Sequence, residues 1–165
     1  MLASDTQAIA EFLRQTMIAA NKLADGEVED HFADTRDTLC YATNDNQTAV
    51  INLLRTEADF AIVVGGYNSS NTSHLVELCE AVLPTYFVNS EENILSPEKI
   101  LHYRIAQKKE VETTGYLPSH SPARVLVTSG ASCPDALVEG VIVKLNSFFP
   151  GGRGMAELIA SFSRD

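Results

Sequence analysis

The chain has 165 residues, 45% of them hydrophobic, and a mean hydropathy of -0.02, enough for one sizeable core in a single compact domain, with two small domains as the alternative. Twelve Lys and Arg against 22 Asp and Glu give a formal charge of -10, which argues against nucleic acid as a partner, since a surface that tracks phosphates has to be basic. No stretch approaches the roughly 20 unbroken apolar residues of a membrane span, and the N-terminus has no basic head before an apolar run, so an intracellular, cytoplasmic setting without membrane contact is expected.

The first element is a helix occupying 1–22, with Ser4 and Gln7 as a capping box and Ile9, Phe12, Leu13, Met17 and Ile18 at helical spacing; Gly26 ends or follows it. An acidic, uneven stretch, 27–37, leads to Cys40, just ahead of a second amphipathic helix carrying Ala49, Val50, Leu53 and Leu54. The apolar run 60–64 reads as a buried parallel strand. It meets Gly65-Gly66 and a polar run, 68–73, and then a helical pattern through Leu75, Leu78, Cys79 and Val82. A short strand is expected at 85–88. Ser96-Pro97-Glu98 has the cap, first-turn proline and acidic residue of a helix start, so a helix to about Lys108 is predicted, then a loop over 110–122. The strand, small-residue turn and helix then recur: 125–128, Ser129-Gly130-Ala131-Ser132, and a helix opened by Pro134-Asp135 with Leu137, Val138, Val141 and Leu145 on one face. Pro150-Gly151-Gly152 breaks the pattern before a C-terminal tail, 150–165, with a short helix at 155–162. This alternation predicts an α/β domain with a small, mostly parallel sheet flanked by helices.

In such a sheet, ligands collect beyond the carboxyl ends of the strands, where both small-residue turns fall. Gly and Ser at a helix N-terminus offer N–H groups, hydroxyls and the positive dipole end to a phosphate or diphosphate, with Ser69, Ser70, Asn71 and Ser132 the natural donors. Plain helix capping is the competing reading of each residue. There is no Walker lysine pattern and no GxGxxG. Cys40, among polar residues before a helix, suits a thiolate that ligates a metal or cluster, or else a buried small side chain. Cys79 falls on the apolar face of its helix and belongs to the core, whereas Cys133 neighbours the second turn and is expected to have a lowered pKa if exposed. His31, His74, His102 and His120 share no spacing that suggests a metal site.

Three segments carry a resemblance: Asp37-Thr38-Leu39-Cys40-Tyr41-Ala42-Thr43-Asn44, Val63-Val64-Gly65-Gly66-Tyr67-Asn68-Ser69-Ser70-Asn71-Thr72, and Val127-Thr128-Ser129-Gly130-Ala131-Ser132-Cys133-Pro134-Asp135. In this order they resemble motifs of the 4-hydroxy-3-methylbut-2-enyl diphosphate reductase family, the last enzymes of the methylerythritol phosphate route to isoprenoids. The resemblance implies reductive dehydroxylation of an allylic diphosphate to isopentenyl and dimethylallyl diphosphate at a [4Fe-4S] cluster, fed by an electron donor such as ferredoxin or flavodoxin. It implies one of three similar domains around a cavity, with Cys40 as one of three cluster ligands and Ser69, Ser70, Asn71 and Ser132 holding the diphosphate. Residues 1–165 then read as the C-terminal, third domain of a larger enzyme, a fragment that needs the missing N-terminal domains for activity and carries no general acid of its own. A truncated, non-catalytic diphosphate-binding domain is the alternative reading.

Overall fold

The computed structural model describes residues 3–22, 41–120 and 122–149. Cys40, His31, Gly26 and the expected tail helix at 155–162 lie outside the described residues. The chain divides into two compact units, Met1–Ala49 and Val50–Asp165.

In the first unit, helix α1 spans Ala3–Asn21. It begins ahead of Ser4, so the expected capping pair lies inside the helix rather than at its start. Ile9, Phe12 and Leu13 form an exposed apolar stripe, while Met17 and Ile18 are half-buried. Helix α2 spans Tyr41–Leu53 among the described residues, and its last four residues, from Val50, belong to the second unit.

The second unit is built on strand β1, Phe60–Val64, whose five residues are all buried. Strand β2, Thr85–Val88, and strand β5, Val125–Ser129, pair with it on either side, both in parallel, giving the order β2-β1-β5. Val64 is in register with Val88 on one side and Ser129 on the other. Alternation along β1 sends its side chains to two cores. Phe60, Ile62 and Val64 pack with Val88, Ile94, Ile100 and Tyr116, and with Val141 and Leu145 of helix α4, Asp135–Asn146. Ala61 and Val63 pack with Val50, Phe87 and Leu126, and with Leu75, Val76 and Cys79 of helix α3, Ser70–Glu80. Both faces are covered, which explains why β1 is a continuous apolar run rather than an alternating one. The sheet bears out the α/β reading, and no described helix is long and apolar enough to cross a membrane.

The stretch after Ser96 differs from expectation. Residues 99–114 form an antiparallel hairpin, strand β3 (Lys99–Arg104) with strand β4 (Lys109–Thr114), where a helix to about Lys108 and then a loop were predicted. Ser96 does act like a cap, since its Oγ accepts from the N–H groups of Glu98 and Lys99, both at 3.1 Å. That arrangement closes a turn as readily as it opens a helix. Beyond it, Ile100 and His102 are buried, while Lys99 and Arg104 are exposed, a strand pattern. Lys108, at φ 51, takes the left-handed conformation that turns the hairpin back. A smaller correction concerns Val82, which lies past the end of α3 and is exposed.

Candidate functional site at the carboxyl ends of β1 and β5

The chain leaves β1 into α3 on one face of the sheet and leaves β5 into α4 on the opposite face. Adjacent parallel strands whose helices depart to opposite sides open a crevice between their carboxyl ends, the switch point where open α/β sheets bind ligands. The turns 65–69 and 130–134 flank this crevice. Pairing of Val64 with Ser129 brings the starts of the two turns together; the sequence-predicted residues Ser69, Ser70 and Asn71 lie at the end of the first turn and the start of α3, and Ser132 lies within the second.

Both turns are fitted around one side chain. Thr72 is buried in the first turn of α3. A Cβ placed on Gly65 would lie 2.9 Å from its Oγ1 and Cγ2, and one placed on Gly130 would lie 2.1 Å from its Oγ1. Gly65 also has φ 157, at the border of the range open to other residues. The glycines let two backbones close on the threonine from two directions. The turns are further tied to the sheet, since the N–H of Gly65 donates to Val88 O at 3.0 Å and that of Gly130 to Val64 O at 3.1 Å.

At the start of α3, Ser69 Oγ accepts from the N–H of Thr72 at 3.3 Å, an N-cap, and the N–H of Ser73 donates to Ser69 O at 2.9 Å. Of the four N–H groups that lack an intrahelical partner at this end, that of Ser69 donates to Gly66 O at 3.0 Å and that of Thr72 to the cap, so that among the described residues those of Ser70 and Asn71 remain. The cap occupies a lone pair of the Ser69 hydroxyl and leaves its O–H to donate. Ser70 is exposed, and the first turn carries no acidic residue, so the positive end of the helix is not offset. Asn71 Oδ1 is shut off from solvent without a hydrogen-bond partner, an unsatisfied group of the kind that functional sites retain. The end of α4 is different. Pro134 supplies no side-chain cap, and Asp135 puts a negative charge in the first turn, so the dipole at this end is offset; Ser132, in the turn before it, is exposed.

The described cysteines lie apart from this chemistry. Cys79 is fully buried on α3, ten residues beyond Ser69 and so about 15 Å along the helix at its usual rise; burial pushes its thiol up to about 11. Cys133 is half-buried, so the exposure that would lower its pKa is not met, and desolvation, followed by the charge of Asp135, raises it. His74 pairs with Glu77 and His120 with Asp59, on the surface, while His102 is buried in the hairpin with Nε2 2.8 Å from Thr113 Oγ1. Among the described residues no group of three His, Cys, Asp or Glu side chains is placed to hold a metal. These residues therefore do not form a cluster site by themselves, and Cys40 lies outside them.

Sequence reasoning passed over Thr72. Its signal was present, because positions 72, 75, 76 and 79 share one helical face, and the only hydroxyl on that face is the one against both glycines.

A model of the LytB protein family matches residues 1–146. The 4-hydroxy-3-methylbut-2-enyl diphosphate reductase of Crocosphaera subtropica is 40% identical over 147 residues, 88% of this chain and 35% of its own length. That of Picosynechococcus is 38% identical over the same shares. The chloroplastic reductase of Botryococcus braunii is 39% identical over 86% of this chain and 29% of its own. A solved structure of (E)-4-hydroxy-3-methylbut-2-enyl diphosphate reductase aligns over 67% of this chain and 32% of its own, at 28% identity and a TM-score of 0.47. The chain spans about a third of the length of the curated relatives it matches. With a family match covering most of its residues, the chain belongs to the LytB protein family.

Proposed function

We propose that this chain is the third, diphosphate-holding domain of a 4-hydroxy-3-methylbut-2-enyl diphosphate reductase, and that the whole enzyme reduces its allylic diphosphate substrate to isopentenyl and dimethylallyl diphosphate. The carrying observation is the pair of glycine turns at the switch point, closed on Thr72 and followed by a helix N-terminus without an acidic residue. In this reading the N–H groups of Ser70 and Asn71 and the hydroxyls of Ser69, Ser70 and Ser132 donate to diphosphate oxygens. An anion at such a helix end gains up to about 2 kcal/mol from the dipole where it is partly buried.

The names of the relatives and the segment around Cys40 support a further part of the reading, in which Cys40 is this chain's one ligand to a [4Fe-4S] cluster. The other ligands come from the remaining domains of the enzyme, and electrons from a donor such as ferredoxin or flavodoxin. When bound, the cluster supplies the electrons for removing the hydroxyl group.

Calorimetry of this chain with the allylic diphosphate tests the binding part. Heat of binding is expected for the wild type and its loss for Ser70→Ala combined with Ser132→Ala; equal binding by the double variant refutes the assignment. In the complete enzyme, Cys40→Ser is expected to lower the iron and sulfide content and Cys79→Ser to leave it intact. Diphosphate binding together with a full cluster in the Cys40 variant would favour the alternative, a binding domain without a part in the redox chemistry.

A further inference from the structure

Tyr67, two residues before the Ser69 cap, is turned away from its neighbours. Gly66 and Asn68 are exposed, whereas Tyr67 is half-buried. Its ring stacks on Tyr103 of β3, with centroids 4.5 Å apart and planes at 15°, and meets Phe87 of β2 edge-on at 5.0 Å. Its hydroxyl donates to Glu110 Oε1 of β4 at 2.9 Å. The same oxygen accepts from Asn93 Nδ2 at 3.4 Å, and Asn93 Oδ1 accepts from the N–H groups of Asn89 and Ser90, at 3.1 and 3.2 Å, in the turn that leaves β2. One carboxylate on the hairpin thus ties down the turn after β1 and the turn after β2. A hydrogen bond to an ionised acceptor is about twice as strong as one between neutral groups, and a turn held in place before the ligand arrives spends less binding energy on ordering.

We propose that Glu110 is a positioning residue for the anion-binding turn, acting through the Tyr67 hydroxyl to hold residues 66–71 in their binding arrangement. The proposal rests on the diphosphate reading of that turn.

The test uses the 165-residue chain and inorganic pyrophosphate, followed by calorimetry, with Tyr67→Phe, Glu110→Ala and Glu110→Gln. Tyr67→Phe keeps both ring contacts and removes only the hydroxyl. Tyr67→Phe and Glu110→Ala are expected to weaken pyrophosphate binding roughly three- to tenfold. Glu110→Gln, which keeps an acceptor of equal reach without the charge, is expected to recover about half of the loss. The sign discriminates between mechanisms, because removing a negative charge near an anion would by itself tighten binding. Unchanged or tighter binding in Glu110→Ala therefore overturns the proposal while leaving the diphosphate reading in place. A wild-type chain that does not bind pyrophosphate overturns both together. Amide hydrogen exchange supplies a readout that a merely structural loss would spread over the sheet: faster exchange confined to 66–71, with the amides of β1 unchanged, is expected in both weakened variants, and uniform or unaltered exchange overturns the proposal.

Discussion

Thr72 sets the dimensions of the proposed site, because both glycine turns are built to its surface. In Gly130→Ala the new methyl group would fall 2.1 Å from Thr72 Oγ1, so the buried turn has to move. A destabilisation of about 1–3 kcal/mol is expected, of the size that overpacking a core produces. Gly66→Ala, with nothing within 4 Å of the new atom, should stay within about 0.5 kcal/mol of wild type. Urea denaturation of both variants checks the contrast, and Thr72→Ala added to Gly130→Ala should restore part of the loss. His102 is the other residue with a measurable signature. Burial, helped by the charge of Arg104, lowers its pKa to about 4 from an ordinary 6.5. The unfolded chain therefore binds the proton first. The stability that the neutral imidazole confers is complete above pH 6.5 and is lost as the pH falls from there towards 4, by on the order of 2–3 kcal/mol. Denaturation midpoints at pH 7 and pH 4.5 should show this loss in the wild type and a smaller one in His102→Gln, which keeps a polar group facing Thr113. Equal pH dependence in the two proteins would contradict the assignment.

At the scale of elements, the cap of α3 serves two purposes that one substitution can separate. Aspartate caps a helix as well as serine and also favours its dipole, but its charge repels a phosphate. Ser69→Asp is expected to melt within a degree or two of wild type and to lose pyrophosphate binding at least tenfold, whereas Ser69→Ala should cost about 1 kcal/mol of stability; calorimetry and thermal melts together decide. The elements also show what was legible beforehand. Strand β1 was readable because a continuous apolar run stopped by glycine has few other interpretations, and β5 because three apolar residues lead into a small-residue turn; the turns beyond them carry the proposed residues Ser69 to Asn71 and Ser132. The hairpin was not. Ser96-Pro97-Glu98 signals a local hydrogen-bonded turn without saying whether a helix or a strand follows, and Leu101 and Tyr103, both half-buried, blur the alternation of β3. Glu110 was invisible for a related reason, since its value depends on Tyr67 and Asn93, and only the hairpin brings it to them.

At the scale of the whole molecule, the chain pairs an acidic composition with the anion site proposed for its two turns. The field of the -10 charge works against the ligand, so recognition has to come from local N–H groups, hydroxyls and the helix end, not from a basic surface. This places the burden of affinity on the accuracy with which two turns from separate parts of the chain are held together. The relatives are about three times as long, and the proposed activity is that of a complete enzyme of their length.

The pairing of β5 beside β1 has a kinetic consequence. Phe60 meets Val125 across a long intervening stretch that contains β2, the hairpin and their turns. Such a contact carries a larger loop-closure cost than the nearer pairing of β1 with β2, and it is expected to form late. Until β5 docks, Gly130 cannot reach Thr72 and the crevice does not exist, so pyrophosphate has nothing to bind in the folding transition state. Stopped-flow measurements should therefore find that pyrophosphate slows unfolding in proportion to its occupancy and leaves the refolding rate unchanged. Faster refolding would place the docking of β5 before the barrier.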